Sequence, residues 1–424
     1  MGHSVKPLSA ASTGFSLVEM MVALVIGLLA TLVVMQTFTL SEGRKRTISG
    51  GADAQTNAAV ALYMLERDVR QAGYGLAPNT EDFVPIYTPP PTGVLTSGIL
   101  AQCTSVRAYN SNRSTSPAFT YSNSTFAPLL INPTGYPAGD ANTDVILVNY
   151  SATSGMMGNG IAITQGSGTG GSAADYIVLT SRAGFSQGDM IIAVPPAASG
   201  LDCTIGEITG LPVTSPPAGS QCAPGISGAS NTINHNNVSY LNYYAACAPV
   251  AAAWNQPVAG ISYAAGSRLY NLGPAGAFVS RVYAVRNGNL TLCDMTANDC
   301  TAAVANPADG NVWTPIAAGV VGLRAQYGKD SNFVGAIDTW DGVQPTGAAL
   351  AQVVAVRMAL VARSNQYEKA ADFTASAPLW HKDAPNTADI MLDLSASGSD
   401  WAHYRYKVVQ SIIPLRNLIW GEQR

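Results

Sequence analysis

The segment STGFSLVEMMVALVIGLLATLVVMQTFTL, residues 12–40, decides how the rest of the chain is read. From Phe15 to Leu40 its 26 residues are almost wholly apolar, and Glu19 sits near their start with no basic residue close by in sequence. At ~1.5 Å per residue, a helix over this run is roughly 39 Å long, enough to cross a hydrocarbon core of about 30 Å. A cleaved secretory signal has an apolar core of only about 7–15 residues, followed by a small-x-small site. Here the run is longer and continues into SEGRKR. A plain anchor fits the length, but positive-inside logic sets Arg44, Lys45 and Arg46 against only Lys6 and the amino terminus, and places the body in the cytoplasm.

Composition argues the other way. Of the 424 residues only 11% are charged, and Gly (41) and Pro (25) are frequent. With abundant β-branched and small polar residues, this describes a β-rich, loop-rich body of the kind common in exported proteins. The formal net charge of −4 provides no basic face for phosphate neutralisation, which argues against nucleic acid as a partner. The six cysteines, Cys103, Cys203, Cys222, Cys247, Cys293 and Cys300, form no CxxC pair and no zinc-type spacing with histidine. They read as up to three disulfides in an oxidising compartment. Cys293 and Cys300 in LCDMTANDC would close a short loop, and the other four allow three connectivities. Because long domains translocate largely regardless of flanking charge, the cysteines outweigh the basic run.

Neither ordinary reading accounts for Glu19. An acid inside a bilayer costs about 3 kcal/mol at the centre on insertion scales and less near an interface, so it marks a function or a partner. If the chain is cut between Gly14 and Phe15, a new ammonium appears at the helix start, one turn from Glu19. GFSLVEMMVALVIGLL resembles the processing site and helix of type IV pilins and type II secretion pseudopilins. The resemblance implies cleavage after Gly14 by a prepilin peptidase, N-methylation of Phe15, and a role for Glu19 in assembly, where it meets the Phe15 amine of an adjacent subunit. The leader MGHSVKPLSAASTG is short and polar and contains Lys6, as such leaders do.

Further along, Ala54, Ala58, Leu62, Leu65, Val69 and Ala72 recur at spacings of 4, 4, 3, 4 and 3, one face of a helix. The helix is therefore expected to continue past the membrane, with a weak point or kink at Gly50 and Gly51 and a stop marked by Gly73, Gly75 and Pro78. Glu66 and Arg70 form an i,i+4 pair on a solvated face. ALYMLERDVRQAGYGL resembles the end of the long helix in PilW-like minor pilins, which carry an ERD run followed by R-x-A-G-Y.

After residue 76 the pattern changes to short β-like runs at 143–150, 175–181, 189–195, 278–285, 320–328, 352–364 and 404–415. In 352–364, Arg357 and Arg363 interrupt an apolar stretch, which reads as a long strand with one face packed and one exposed. The amphipathic half of the helix is the natural cover for such a sheet. The late runs VYAV before GNLTLC, GLRAQYG, a strand ending VAR and a terminal strand ending PLRN follow the PilW-like order. The resemblance spans residues 12–76 and, in pieces, 278–418; residues 80–275 match nothing recognisable.

Catalytic apparatus is not legible. GSGTGG fits G-x-G-x-x-G through Gly166, Gly168 and Gly171, but no Lys-Ser/Thr follows and the next run reads as strand. His3, His235, His381 and His403 lack metalloprotease spacing, and there is no G-x-S-x-G elbow. Asp330, Asn332, Gly335 and Asp341 imitate a calcium loop, but Val334 stands where an oxygen donor is needed. Trp254, Trp313, Trp340, Trp380, Trp401 and Trp420 are scattered and read as core rather than as a sugar platform.

The expected fold is α+β: a long N-terminal pilin helix, membrane-spanning half plus amphipathic half, packed on an antiparallel β-rich globular domain with long loops. The expected divisions are a leader at 1–14, a membrane or filament-core helix at 15–40, its amphipathic continuation at 41–75 and the β-rich domain at 76–424. The expected function is that of a non-enzymatic minor pilin of the type IV pilus, a structural and priming subunit near the tip, without cofactor or metal. A type II secretion pseudopilin and a membrane-tethered adhesin or glycan-binding protein are the alternatives. The resemblance implies as partners other minor and major pilins, the prepilin peptidase, the pilus assembly platform, a tip-associated adhesin and the inner membrane. It places the protein in the inner membrane with a periplasmic domain before assembly, and in the extracellular pilus afterwards.

Overall fold

A run of good helix formers interrupted by no proline carries one helix from Leu17 to Gln71, 55 residues without a break. The computed structural model describes residues 14, 16–76, 103, 106–111, 118–121, 127–151, 160–167, 176–196, 199–211, 231–237, 239–255, 263, 266–301, 311–332, 334–345, 347–369, 374, 376–380, 390–394 and 398–419. The helix continues through Gly50 and Gly51, the weak point or kink expected from the sequence, without ending there. Gly50 lies against strand-end residues, where a Cβ would meet Gln366 and Ser364 at 3.6 and 3.7 Å. After Gln71, Gly73 and Gly75 adopt positive φ and turn the chain away, as the sequence indicated.

Two antiparallel sheets embrace the second half of the helix. One has five strands in the order Thr314–Ala318, Asn289–Asp294, Phe278–Arg286, Ile146–Ser151, Leu129–Ile131. The other has four, in the order Thr339–Asp341, Val320–Lys329, Val353–Arg363, Tyr406–Pro414. Period-two alternation sorts the first sheet: Ile146, Val148 and Tyr150 face the helix core, while Leu147 faces a second core behind it. Ala61, Leu65, Val69 and Ala72 share one apolar cluster with residues of both sheets, among them Ile131, Val285, Leu323, Val356, Met358 and Ile413. Asp144 pins the sheets together, since Ala325 N donates to its carboxylate at 2.8 Å, and Ile131 N donates to the Tyr327 hydroxyl at 2.6 Å. The Asn287-Gly288 pair, both at positive φ, forms the tight turn between Phe278–Arg286 and Asn289–Asp294.

The strand Val353–Arg363 departs from expectation. Both of its faces are covered: Val356, Met358 and Leu360 meet the helix core, while Ala359 and Val361 pack under Trp380, Leu392 and Leu394. Arg357, read as an exposed interruption, is 5% exposed, bonded to Gln326 Oε1 and stacked 4.7 Å from Trp340 and 5.2 Å from Trp380. Aromatic faces and one amide replace water around the guanidinium.

The region that matched nothing forms an eight-stranded sheet between Val106 and Pro274, stacked on the outer face of the five-stranded one. Met190, Ile192 and Val194 join Leu147, Val282 and Ala284 in the core between the sheets, and Ile191 and Ala193 join a separate core on the far side. Cys103 is bonded to Cys203 and Cys293 to Cys300, all four within the inter-sheet core. Cys247 is also disulfide-bonded; Cys222 lies outside the described residues.

Two carboxylates are buried in this sheet with only neutral donors bonded to them. Glu207 accepts from the Tyr240 hydroxyl and from the N–H groups of Ala253 and Trp254, and Asp189 accepts from Tyr244, Asn271 and Ser186 N. Burial pushes both carboxyls above the usual range, and these hydrogen bonds pull them only partly back. A carboxyl held above its unfolded value favours the folded state most below the unfolded value, and that contribution is lost as pH rises through the folded value. Glu207→Gln should therefore gain stability relative to the parent chain as pH rises from about 4 to about 8. Denaturation at a series of pH values measures this, and a pH-independent difference contradicts the assignment.

Candidate assembly site

The long helix divides into two environments. From Leu17 to Leu40 every large apolar side chain is about half-exposed or more, from 49% at Leu32 to 75% at Leu17. The Thr31, Thr37 and Thr39 hydroxyls donate to the carbonyls of Leu28, Val34 and Gln36 at 2.8, 2.8 and 2.9 Å. These hydroxyls are thus satisfied within the helix and need no water, which suits a segment long and apolar enough to cross a membrane. Glu19 is exposed in the first turn, where the helix dipole favours an anion. Gly14 is exposed, and a Cβ placed on it meets nothing within 4 Å. Phe15 and residues 1–13 lie outside the described residues.

From Ala54 onward the helix is gripped. Ala54 and Ala58 pack on Ala362 and Val409, and small side chains there let the helix approach the sheet closely. One turn beyond Leu65 comes a residue that the sequence reading passed over. Asp68 is wholly buried, and its carboxylate accepts from Arg281 Nη1 at 2.7 Å, the Tyr283 hydroxyl at 2.5 Å and the Tyr150 hydroxyl at 3.5 Å, with Arg67 at 3.3 Å. Burial, then the Asp68 charge, pushes the Tyr283 and Tyr150 hydroxyls up. Burial alone would lower Arg281, but the hydrogen bond and charge of Asp68 prevail and hold it above its ordinary value. The signal was available: Asp68 is three residues after Leu65 and four before Ala72, on the apolar stripe itself. Its neighbours Glu66 and Arg70 do pair with each other on the outer surface.

The other sequence-level candidates do not converge. Gly166 belongs to the strand Ile161–Ser167, and Gly168 and Gly171 lie outside the described residues. Asp330 accepts from Val334 N and Gly335 N, while Asp341 pairs with Lys329 at 2.7 Å. Among the described residues no group of three or more His, Cys, Asp or Glu could hold a metal ion. Trp254, Trp313 and Trp380 are buried. The helix presents an exposed apolar shaft with one acid at its start, packed further along against a β body.

Truncating Asp68 leaves the partly buried Arg281 guanidinium and the buried Tyr283 hydroxyl without their acceptor, which costs about 1–3 kcal/mol. Asp68→Ala in the detergent-solubilised chain should lose that much on chemical denaturation, and Asp68→Asn, which keeps an acceptor for the tyrosines, should lose less. A loss below about 1 kcal/mol for Asp68→Ala would show that apolar packing alone holds the helix.

Residues 282–417 match the family model of the type IV pilus-assembly protein W, PilW. No curated protein and no solved structure matches the chain. The matched stretch takes in Tyr283, the four-stranded sheet and Asn417, whose amide donates to the carbonyls of Arg70 and Ala72 at the end of the helix. The four-stranded sheet and the strands Asn289–Asp294 and Thr314–Ala318, which help to grip the helix, therefore lie in a stretch similar to the PilW family of type IV pilus-assembly proteins.

Proposed function

We propose that the protein is a minor pilin, a structural subunit that primes type IV pilus assembly and sits near the tip. The observation that carries this reading is that one continuous helix bears the bare apolar shaft with Glu19 at its start and, further along, the face gripped by the PilW-matched sheets. On this reading residues 1–14 are a leader removed by a prepilin peptidase, 15–40 the membrane and filament-core helix, 41–75 its continuation and 76–424 the periplasmic, later extracellular, domain. Cleavage after Gly14 gives Phe15 an α-amine, which is then N-methylated. In the bilayer the apolar side chains are solvated by lipid; in the filament they are covered by helices of other pilins.

Glu19 supplies register. In a low-dielectric helix bundle an unpaired carboxylate is costly, and pairing with the Phe15 amine of a neighbouring subunit offsets that cost only when the two helices are staggered correctly. Both contributions are recognition rather than catalysis. The partners that follow are other minor and major pilins, the assembly platform and a tip-associated adhesin, with the inner membrane as the reservoir.

The test is Glu19→Ala. Membrane retention should be unchanged, because the apolar run is intact. A charge-assisted hydrogen bond of about 1.5–3 kcal/mol corresponds to about ten- to a hundredfold less variant in sheared pili. Incorporation at the parental level removes the filament reading.

A further inference from the structure

The loops 364–369 and 401–405 close the end of the four-stranded sheet beside Gly50. Ser364 N donates to Arg405 O at 2.9 Å and Glu368 N to His403 O at 2.8 Å, and Gln366 and Ser364 abut Gly50. The later contacts along the helix, Ala54 and Ala58 with Ala362, Asp68 with Arg281, and the carbonyls of Arg70 and Ala72 with Asn417, recede from the apolar shaft. These loops are therefore the part of the described β body nearest to that shaft. From Leu40 to Gly50 the helix rises only about 15 Å.

The surface they present is aromatic and cationic. Tyr367 is 44% exposed, stacks on His403 with centroids 4.7 Å apart and meets Tyr404 edge-on at 5.7 Å. The Arg363 guanidinium lies 4.5 Å from the Tyr404 ring, and Lys369 is exposed beside them. Among the described residues the acids of this end are Glu368, 3.5 Å from Arg405, and Asp400. On the helix Glu42 and Lys45 are both exposed. Tyrosine and lysine combine an apolar body with a polar tip, the character that membrane–water interfaces select.

We propose that this foot rests in the phospholipid headgroup layer of the membrane that holds Leu17–Leu40, orienting the β body before assembly. The headgroups extend about 5–8 Å beyond the hydrocarbon on each side. Side chains of Tyr367 and Lys369, both exposed, span much of the remaining height. The inference rests on the membrane reading of the shaft, and the experiment separates the two.

The full chain is placed in nanodiscs of phosphatidylethanolamine and phosphatidylglycerol with the photo-crosslinker p-benzoylphenylalanine at one of three exposed aromatic positions: Phe38, Tyr367 or Tyr63. Tyr63 is 68% exposed and, by rise, about 35 Å past Leu40. After illumination, intact-mass analysis should find lipid adducts at 38 and 367 and none at 63. An adduct at 38 without one at 367, or equal labelling at 63 and 367, overturns the headgroup contact and leaves the anchor standing. No adduct at 38 overturns the membrane reading itself, and the foot falls with it.

Discussion

The structure depends on one constraint: the apolar half of the long helix is left uncovered by its own β body. Full burial of a large aliphatic side chain is worth about 1.5–3 kcal/mol. Over the exposed run from Leu17 to Leu40 the unmet burial amounts to tens of kcal/mol, more than the roughly 5–15 kcal/mol by which a domain is stable. No rearrangement of the body's own core could offset that. On the proposed function lipid and then other helices cover the shaft, and a protein that exchanges one cover for the other moves between membrane and filament without refolding.

The exchange requires that shaft and body move as one, and the second half of the helix supplies the rigidity. Apolar packing of Ala61, Leu65, Val69 and Ala72 between two sheets gives most of the holding strength but little directional information. Asp68 adds it. A slip of one turn, about 5.4 Å, would carry its carboxylate away from Arg281 and Tyr283 and leave a charge stranded in the core. The Asp68–Arg281 ion pair fixes where along the helix the body sits.

Much of this was legible in the sequence because periodicity records burial. Of the stripe Ala54, Ala58, Leu62, Leu65, Val69 and Ala72, all but the partly buried Leu62 are buried, and the runs at 278–285, 320–328 and 404–415 became strands within two residues. Misreadings came where a polar residue is buried by its partners rather than by its own character. Arg357 looked like a marker of solvent and lies against two tryptophans; Asp68 was assigned no role and is the least exposed acid on the helix. Such partners lie 17 to 215 residues away, beyond any local pattern. Short strands such as Leu129–Ile131 and Cys203–Glu207 escaped because three to five residues do not establish a period. The Gly50-Gly51 pair, read as a weak point or kink, does not end the helix, since a helix braced against a sheet tolerates glycines that would weaken it alone.

The central claim is that Glu19 is admitted to the apolar shaft because processing creates a cation one turn away. Mass spectrometry of the mature amino terminus, on protein from cells with an active prepilin peptidase, addresses it directly. The account predicts a chain that begins at Phe15 and carries one added methyl on its α-nitrogen. A mature chain that still carries Met1 through Gly14 contradicts it.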